Sequence, residues 1–320
     1  MFIEQGYKGS SEGWRYIVGL LIIFFGWQIL GGIPLLAALI LKSDSMMNMP
    51  MDYGSMADTL GLNMFFFLVL LTFVAAMGSL WLVVRFVHRQ SFTSFTTSRK
   101  KVDWKRILFA FSLWGIVSSV MVMLDIYLSP ENYVFNFKPM PFFVLLVLSI
   151  VLVPIQTSFE EYFTRGYLMQ GIGIASKTKW LPFVVSSSLF GLLHIFNPEV
   201  EKLGYGVLVF YIGTGFFLGI LTLMDEGLEL PLGFHAANNL FTALLVTADW
   251  TAFRTNSLYK DISEPVLGWD VLIPVFVFYP ILILILSKKY GWKNWKERLF
   301  GKVMTKEEFV ALTDGDSDLA

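Results

Sequence analysis

Apolar residues gather along this chain in eight runs, at about 16–41, 62–86, 107–129, 142–169, 180–197, 203–224, 229–248 and 268–287. A helix needs about 20 residues to cross the hydrocarbon of a bilayer. The pattern therefore predicts an all-α membrane protein of about eight transmembrane helices. Run five is short for a span and run four is long. Gly and Pro occur within the runs, as helix packing in lipid allows. Gly215 and Gly219 stand four apart in run six, a small-xxx-small spacing that predicts close helix packing. Pro154 in run four removes a backbone hydrogen bond and predicts a kink.

Composition supports the same class. Hydrophobic residues make up 55% of the 320 residues and charged ones 15%, against about a quarter charged in a soluble domain. With no cysteine, disulfides, thiolate metal sites and a cysteine nucleophile are excluded. The net charge of −1 says nothing about partners; the expected partners are the lipid bilayer and a peptide or membrane-protein substrate, with no nucleic acid.

Positive charge is unevenly placed. The stretch between runs two and three holds Arg85, Arg89, Arg99, Lys100, Lys101, Lys105 and Arg106, and the tail holds Lys288, Lys289, Lys293, Lys296, Arg298, Lys302 and Lys306. With eight spans both fall on one side, together with the amino terminus. The positive-inside rule makes that side cytoplasmic, so the expectation is a multi-pass protein of the cell membrane with both termini in the cytoplasm. Trp292 and Trp295 among the tail lysines read as an interfacial anchor. Asp314, Asp316 and Asp318 near the end read as unstructured. His88, in the basic loop, reads as a solvated residue.

Ionisable groups inside hydrocarbon are costly and usually mark a function. Run four carries Glu160, Glu161 and Arg165, run five ends Phe190-Gly-Leu-Leu-His194, and run seven contains His235-Ala-Ala-Asn-Asn239. Residues four apart share a helix face, so Glu161 and Arg165 form an ion pair within one helix. Glu160 points elsewhere and is the better base. His235 and Asn239 share a face, with Asn238 less aligned. Glu160, Glu161, His194, His235 and Asn239 are thus the candidate catalytic set in an intramembrane polar cavity, with Arg165 as structural partner.

Two chemistries fit this set. Glu160, His194 and His235 make a two-histidine, one-carboxylate set of the kind that holds catalytic zinc. Alternatively Glu160 with His194 deprotonates water without a metal, and His235 with Asn239 donates hydrogen bonds to the oxyanion. Both end in amide hydrolysis. A proton-relay transporter is a further reading of the same charges.

Together the strings Glu160-Glu161…Arg165, Phe190…His194 and His235…Asn239 resemble the CPBP family, also called the Abi or CAAX-protease family, which includes type II CAAX prenyl endopeptidases and bacterial relatives linked to bacteriocin processing and self-immunity. The match runs over about residues 140–250. The resemblance implies a membrane-embedded endopeptidase acting on a peptide or membrane protein near the cytoplasmic face, with Glu160 and His194 activating water and His235 with Asn239 as metal ligands or oxyanion donors. It also implies a metalloprotease with a divalent metal, zinc foremost, or a metal-free glutamate mechanism. The corresponding organisation is 1–139 as amino-terminal helices with the basic loop, 140–250 as catalytic core, 251–288 as the eighth helix with its preceding loop, and 289–320 as the tail. A non-catalytic immunity or binding protein of the same fold is the alternative.

Overall fold

A computed structural model describes residues 1–43 and 49–315. Each apolar run falls on a helix. We label these α1 (Gly13–Lys42), α2 (Leu62–Val87), α3 (Trp104–Leu128), α4 (Pro139–Ser176), α5 (Trp180–Leu192), α6 (Tyr205–Asp225), α7 (Glu229–Leu245) and α8 (Val271–Tyr290). Six of them are long and apolar enough to cross a membrane. The other two, α5 with 13 residues and α7 with 17, are shorter than a full crossing.

Local signals explain the helix starts. The Asp103 carboxylate accepts the Lys105 N–H at the head of α3, and Asp52 accepts the Ser55 N–H at the short helix Tyr53–Leu60, as N-cap side chains do. Pro139 opens α4, where its missing N–H costs nothing. Pro154 lies inside the continuous helix Pro139–Glu161. The irregularity of α4 comes later, as a π-helical stretch over Tyr162–Leu168.

The helices divide by burial. The apolar window of α6 is 56% buried, against 17% for α1 and α3 and 22% for α8. So α6 lies inside, while α1, α3 and α8 form much of the outer wall. Close approach inside depends on glycine. A Cβ on Gly215 would lie 2.2 Å from the Ser187 carbonyl oxygen, and one on Gly219 would lie 2.8 Å from Ser187 Oγ. The small-xxx-small spacing is therefore the contact of α6 with α5. Gly233 plays the same part for α7 against α3, where a Cβ would meet the Ile107 carbonyl at 2.1 Å.

The basic segments share one end. Arg99 pairs with Asp225 (3.0 Å) and Glu229 (3.1 Å), Arg106 pairs with Asp225 (2.5 Å), and Arg298 of the tail pairs with Glu226 (3.1 Å). The Phe2 N–H also donates to Glu226, and Tyr7 donates to the Met304 carbonyl at 2.9 Å. This network joins the amino terminus, the loop after α2, the α6–α7 turn and the tail.

The expected solvated His88 is in fact buried: Nδ1 donates to the Ser10 carbonyl at 2.8 Å and Nε2 lies 3.1 Å from the Tyr167 hydroxyl. Of the acidic end, Asp314 falls in the helix Lys306–Gly315, while Asp316 and Asp318 lie outside the described residues.

At the opposite end is a three-stranded sheet that the apolar runs did not predict. Its strands are β1 (Tyr133–Phe135), β2 (Val246–Ala248) and β3 (Tyr259–Asp261), in the order β1-β3-β2. Strand β1 is antiparallel to β3 and β2 is parallel to it. Each strand has only three residues and follows an apolar helix or loop, so no period-2 pattern announces it.

Candidate active site

Helix α4 supplies most of the polar side chains. Arg165 is fully buried and has several partners. Its guanidinium donates to Glu161 Oε1 at 3.0 Å, to Thr164 Oγ1 at 2.9 Å and to the Gly215 carbonyl of α6 at 3.0 Å. It also lies 4.3 Å above the Phe190 ring. The within-helix ion pair expected from spacing is thus present, and it also ties α4 to α5 and α6. A buried charge is tolerated when paired and hydrogen-bonded in this way.

Beside this pair, His235 of α7 sits between the two glutamates. Its Nδ1 is 2.8 Å from Glu161 Oε1 and its Nε2 is 3.4 Å from Glu160 Oε2. An ionised carboxylate only accepts, so the Nδ1 contact requires the ring proton there. Glu161 and Arg165 hold His235 from behind.

Glu160 is held differently. A chain of hydrogen bonds crosses three helices to reach it. The Trp114 indole N–H of α3 donates to Asn238 Oδ1 at 3.0 Å, and the Asn238 amide donates to Asn239 Oδ1 at 3.1 Å. The Asn239 amide then donates to Gln156 Oε1 at 3.1 Å, and the Gln156 amide donates to Glu160 Oε1 at 2.7 Å. An indole can only donate and a carboxylate can only accept. The two ends therefore fix the orientation of all three amides between them. Glu160 Oε2 is left with no hydrogen-bond donor.

His194 lies just past the end of α5. Its Nδ1 donates to the Phe190 carbonyl at 2.7 Å, since a carbonyl only accepts. Nε2 is then the basic nitrogen of the neutral ring. The Tyr211 ring of α6 stacks on it at 4.3 Å and 16°.

A cavity of about 410 Å³ joins these groups, lined by Gln156, Glu160, Thr164, His194, Asn238 and Asn239 among others. Its lining also includes Tyr53, Asn197, Glu199 and Thr251–Phe253, which belong to the loops following α1, α5 and α7. Those loops lie at the end of the bundle away from the basic segments. The cavity thus reaches the end of the bundle opposite the basic segments.

The family described as Type II CAAX prenyl endopeptidase Rce1-like matches residues 139–241, spanning α4 to α7. A protein of Bacillus subtilis (strain 168) with the printed name "Uncharacterized protein YyaK" is 30% identical over 260 residues, covering 80% of this chain and 84% of that protein. The chain belongs to the Rce1-like family. No solved structure matches it. Rce1-like membership supports a CAAX-protease type of peptidase in a multi-pass membrane protein.

Of the residues singled out in the sequence, the Rce1-like chain brings Glu160, His194 and Asn239 to the cavity. It places Glu161, Arg165 and His235 together beside it. His235 and Asn239, four apart in sequence, have separate partners, the glutamates for one and Gln156 for the other. Gln156, Asn238, Trp114, Tyr211 and Glu199 were not singled out. Gln156 lies four residues before Glu160 and was legible from that spacing. Asn238 was set aside on face alignment. The remaining three carry no local signal.

Zinc needs three or four donors each about 2 Å from one point. Glu160 Oε2 and His235 Nε2, 3.4 Å apart, satisfy that for two. Among the described residues, no three His, Asp or Glu side chains gather into a metal-holding group. The expected set of Glu160, His194 and His235 is thus not gathered around one point among the described residues.

Proposed function

We propose that this Rce1-like chain is an intramembrane endopeptidase that hydrolyses a peptide bond of a membrane-associated peptide or protein. The catalytic core covers 140–250, and α5 and α7 contribute to the site as short helices inside the bundle of six long ones. The observation that carries the reading is Glu160: it lines the same cavity as His194, with one oxygen held by Gln156 and the other without a donor.

A water between Glu160 and the scissile carbonyl gives its proton to the carboxylate as its oxygen attacks carbon. The Nε2 of His194 accepts a hydrogen bond from the same water and orients it. Each amide of Asn238 and Asn239 has one N–H not used in the relay, and these are the donors for the oxyanion. Collapse of the tetrahedral intermediate breaks the C–N bond, and the proton held by Glu160 passes to the leaving nitrogen. His235, held by Glu161, lies beside Glu160.

The test is cleavage of membrane-anchored peptides in proteoliposomes, with and without a chelator. Glu160→Gln is expected to lose about 10²–10⁴-fold of the wild-type rate, and His194→Gln a similar amount. Cleavage by Glu160→Gln at the wild-type rate sinks the mechanism. Wild-type protein that cuts nothing, while Glu160→Gln still complements a deletion strain, favours a binding or immunity role. Chelator sensitivity restored by zinc adds a metal to the site.

A further inference from the structure

Glu199 has no part in the chemistry above. It lies in the short helix Pro198–Leu203 between α5 and α6 and lines the same cavity. Its Oε1 accepts the Ala252 N–H at 2.8 Å, which joins two loops. Its Oε2 is buried without any hydrogen-bond partner, and among the described residues no Lys, Arg or His forms an ion pair with it. The acidic groups of the basic end differ, since Asp225, Glu226 and Glu229 each face an arginine.

Glu199 is half-buried, and a carboxylate oxygen buried without a donor or cation is costly. Bridging two loops needs only one of its oxygens. Burial pushes the Glu199 carboxyl above the usual carboxylate range, while the Ala252 N–H pulls it back. Tyr53 lines the same cavity, and burial and then the Glu199 charge push its hydroxyl above the phenol range. Tyr211 lines the cavity as well.

The rest of the cavity points the same way. Among the described residues its lining contains two carboxylates, Glu160 and Glu199, and neither lysine nor arginine. Its walls are rich in aromatic rings, whose faces attract cations. Such a cavity repels an anionic side chain and suits a cationic one.

We propose that the cavity selects a peptide carrying a lysine or arginine side chain, which seats its cation on Glu199 Oε2 while the scissile bond lies at Glu160. This rests on the peptidase reading for the second contact and not for the first. In that arrangement the ligand supplies the donor that Oε2 lacks, and the flanking tyrosine rings cover its alkyl stem.

The experiment uses matched peptides with lysine, norleucine or glutamate at one position, scanned along a membrane-anchored sequence. Full-length protein in proteoliposomes is assayed for kcat/KM. Lysine is expected to exceed norleucine by about 10- to 100-fold at one position, the worth of a charge-assisted hydrogen bond. In Glu199→Gln, which keeps an acceptor for Ala252, that ratio is expected to fall toward one; in Glu199→Lys the glutamate peptide becomes the better of the two charged substrates. A lysine preference equal in wild type and Glu199→Gln overturns the proposal, as does no preference at any position.

Binding separates this inference from the peptidase reading. Fluorescence anisotropy of the labelled peptides is measured on Glu160→Gln and on the double variant Glu160→Gln/Glu199→Gln, both checked for an unchanged unfolding midpoint. Lysine-selective binding lost only in the double variant supports the cation site even if no peptide is ever cut. Equal binding of lysine and norleucine peptides by Glu160→Gln overturns it.

Discussion

Glu160 is held by a relay whose direction is dictated at both ends, by an indole that only donates and a carboxylate that only accepts. Breaking the relay should therefore disorient the base while leaving the cavity in place. Gln156→Leu is expected to lower kcat by about 10- to 100-fold with little change in KM, because it removes an interaction that positions the proton acceptor. Steady-state kinetics checks this, and a change confined to KM would contradict it. His88 offers a second test at this scale. Burial, more than the opposing Ser10 bond, holds its ring below the usual imidazole range. Below about pH 6.5 the unfolded chain takes a proton that the folded chain refuses, so stability falls as pH falls. Thermal unfolding in detergent between pH 7.5 and 5 should show this slope, flattened in His88→Gln. An unchanged slope in the variant would move the effect elsewhere. The single-residue signals that could be read in advance were those of helical spacing, such as Glu161 with Arg165. The burial of His88 could not be read, because its partners Ser10 and Tyr167 are 78 and 79 residues away in sequence.

Among elements, α5 and α6 approach closely at glycine. Gly215→Val would drive a side chain into the Ser187 backbone and strain the carbonyl that accepts from Arg165. Overpacking costs about 1–3 kcal/mol or more, so the unfolding midpoint in detergent should drop by several degrees. Gly78→Ala in α2, where a Cβ meets nothing within 4 Å, should match or slightly exceed the wild type. A Gly215→Val midpoint equal to that of Gly78→Ala would refute the packing account. Element depth is where reading by eye fell short. Run four was expected to end at 169 but α4 continues to Ser176, which puts Glu160 sixteen residues, or about 24 Å, from that end. His194 lies fourteen residues past Trp180 at a similar depth, about 21 Å. His235 lies only six residues into α7, yet meets both glutamates. The start of α7 is itself sunk in the bundle: Glu229 is fully buried and the loop after α2 folds over it, with the Leu228 N–H bonded to the Thr96 carbonyl.

For the whole molecule, orientation decides which side substrates come from. The basic segments cluster at one end, and the cavity reaches loops at the other. If the basic end is cytoplasmic, as its charge predicts, the cavity opens away from the cytoplasm. The chain has no cysteine, so single cysteines report cleanly. In intact cells a membrane-impermeant maleimide should label Glu264→Cys at the cavity end, and should label Lys101→Cys only after permeabilisation. The reverse labelling pattern would place the cavity on the cytoplasmic side.

Membrane class, the existence and approximate place of the helices, the common end of the basic segments and the Glu161–Arg165 pair were all determined by the sequence alone. Each depends on composition, run length or spacing within one helix. Tertiary structure alone decided that His235 bridges two glutamates, that α3 and α7 deliver a relay to Glu160, and that Glu199 enters the same cavity. Those contacts depend on the rotation and depth of one helix against another. In a soluble helix an apolar stripe marks the inner face, but a helix facing lipid is apolar all round, so periodicity does not say which side chains point inward.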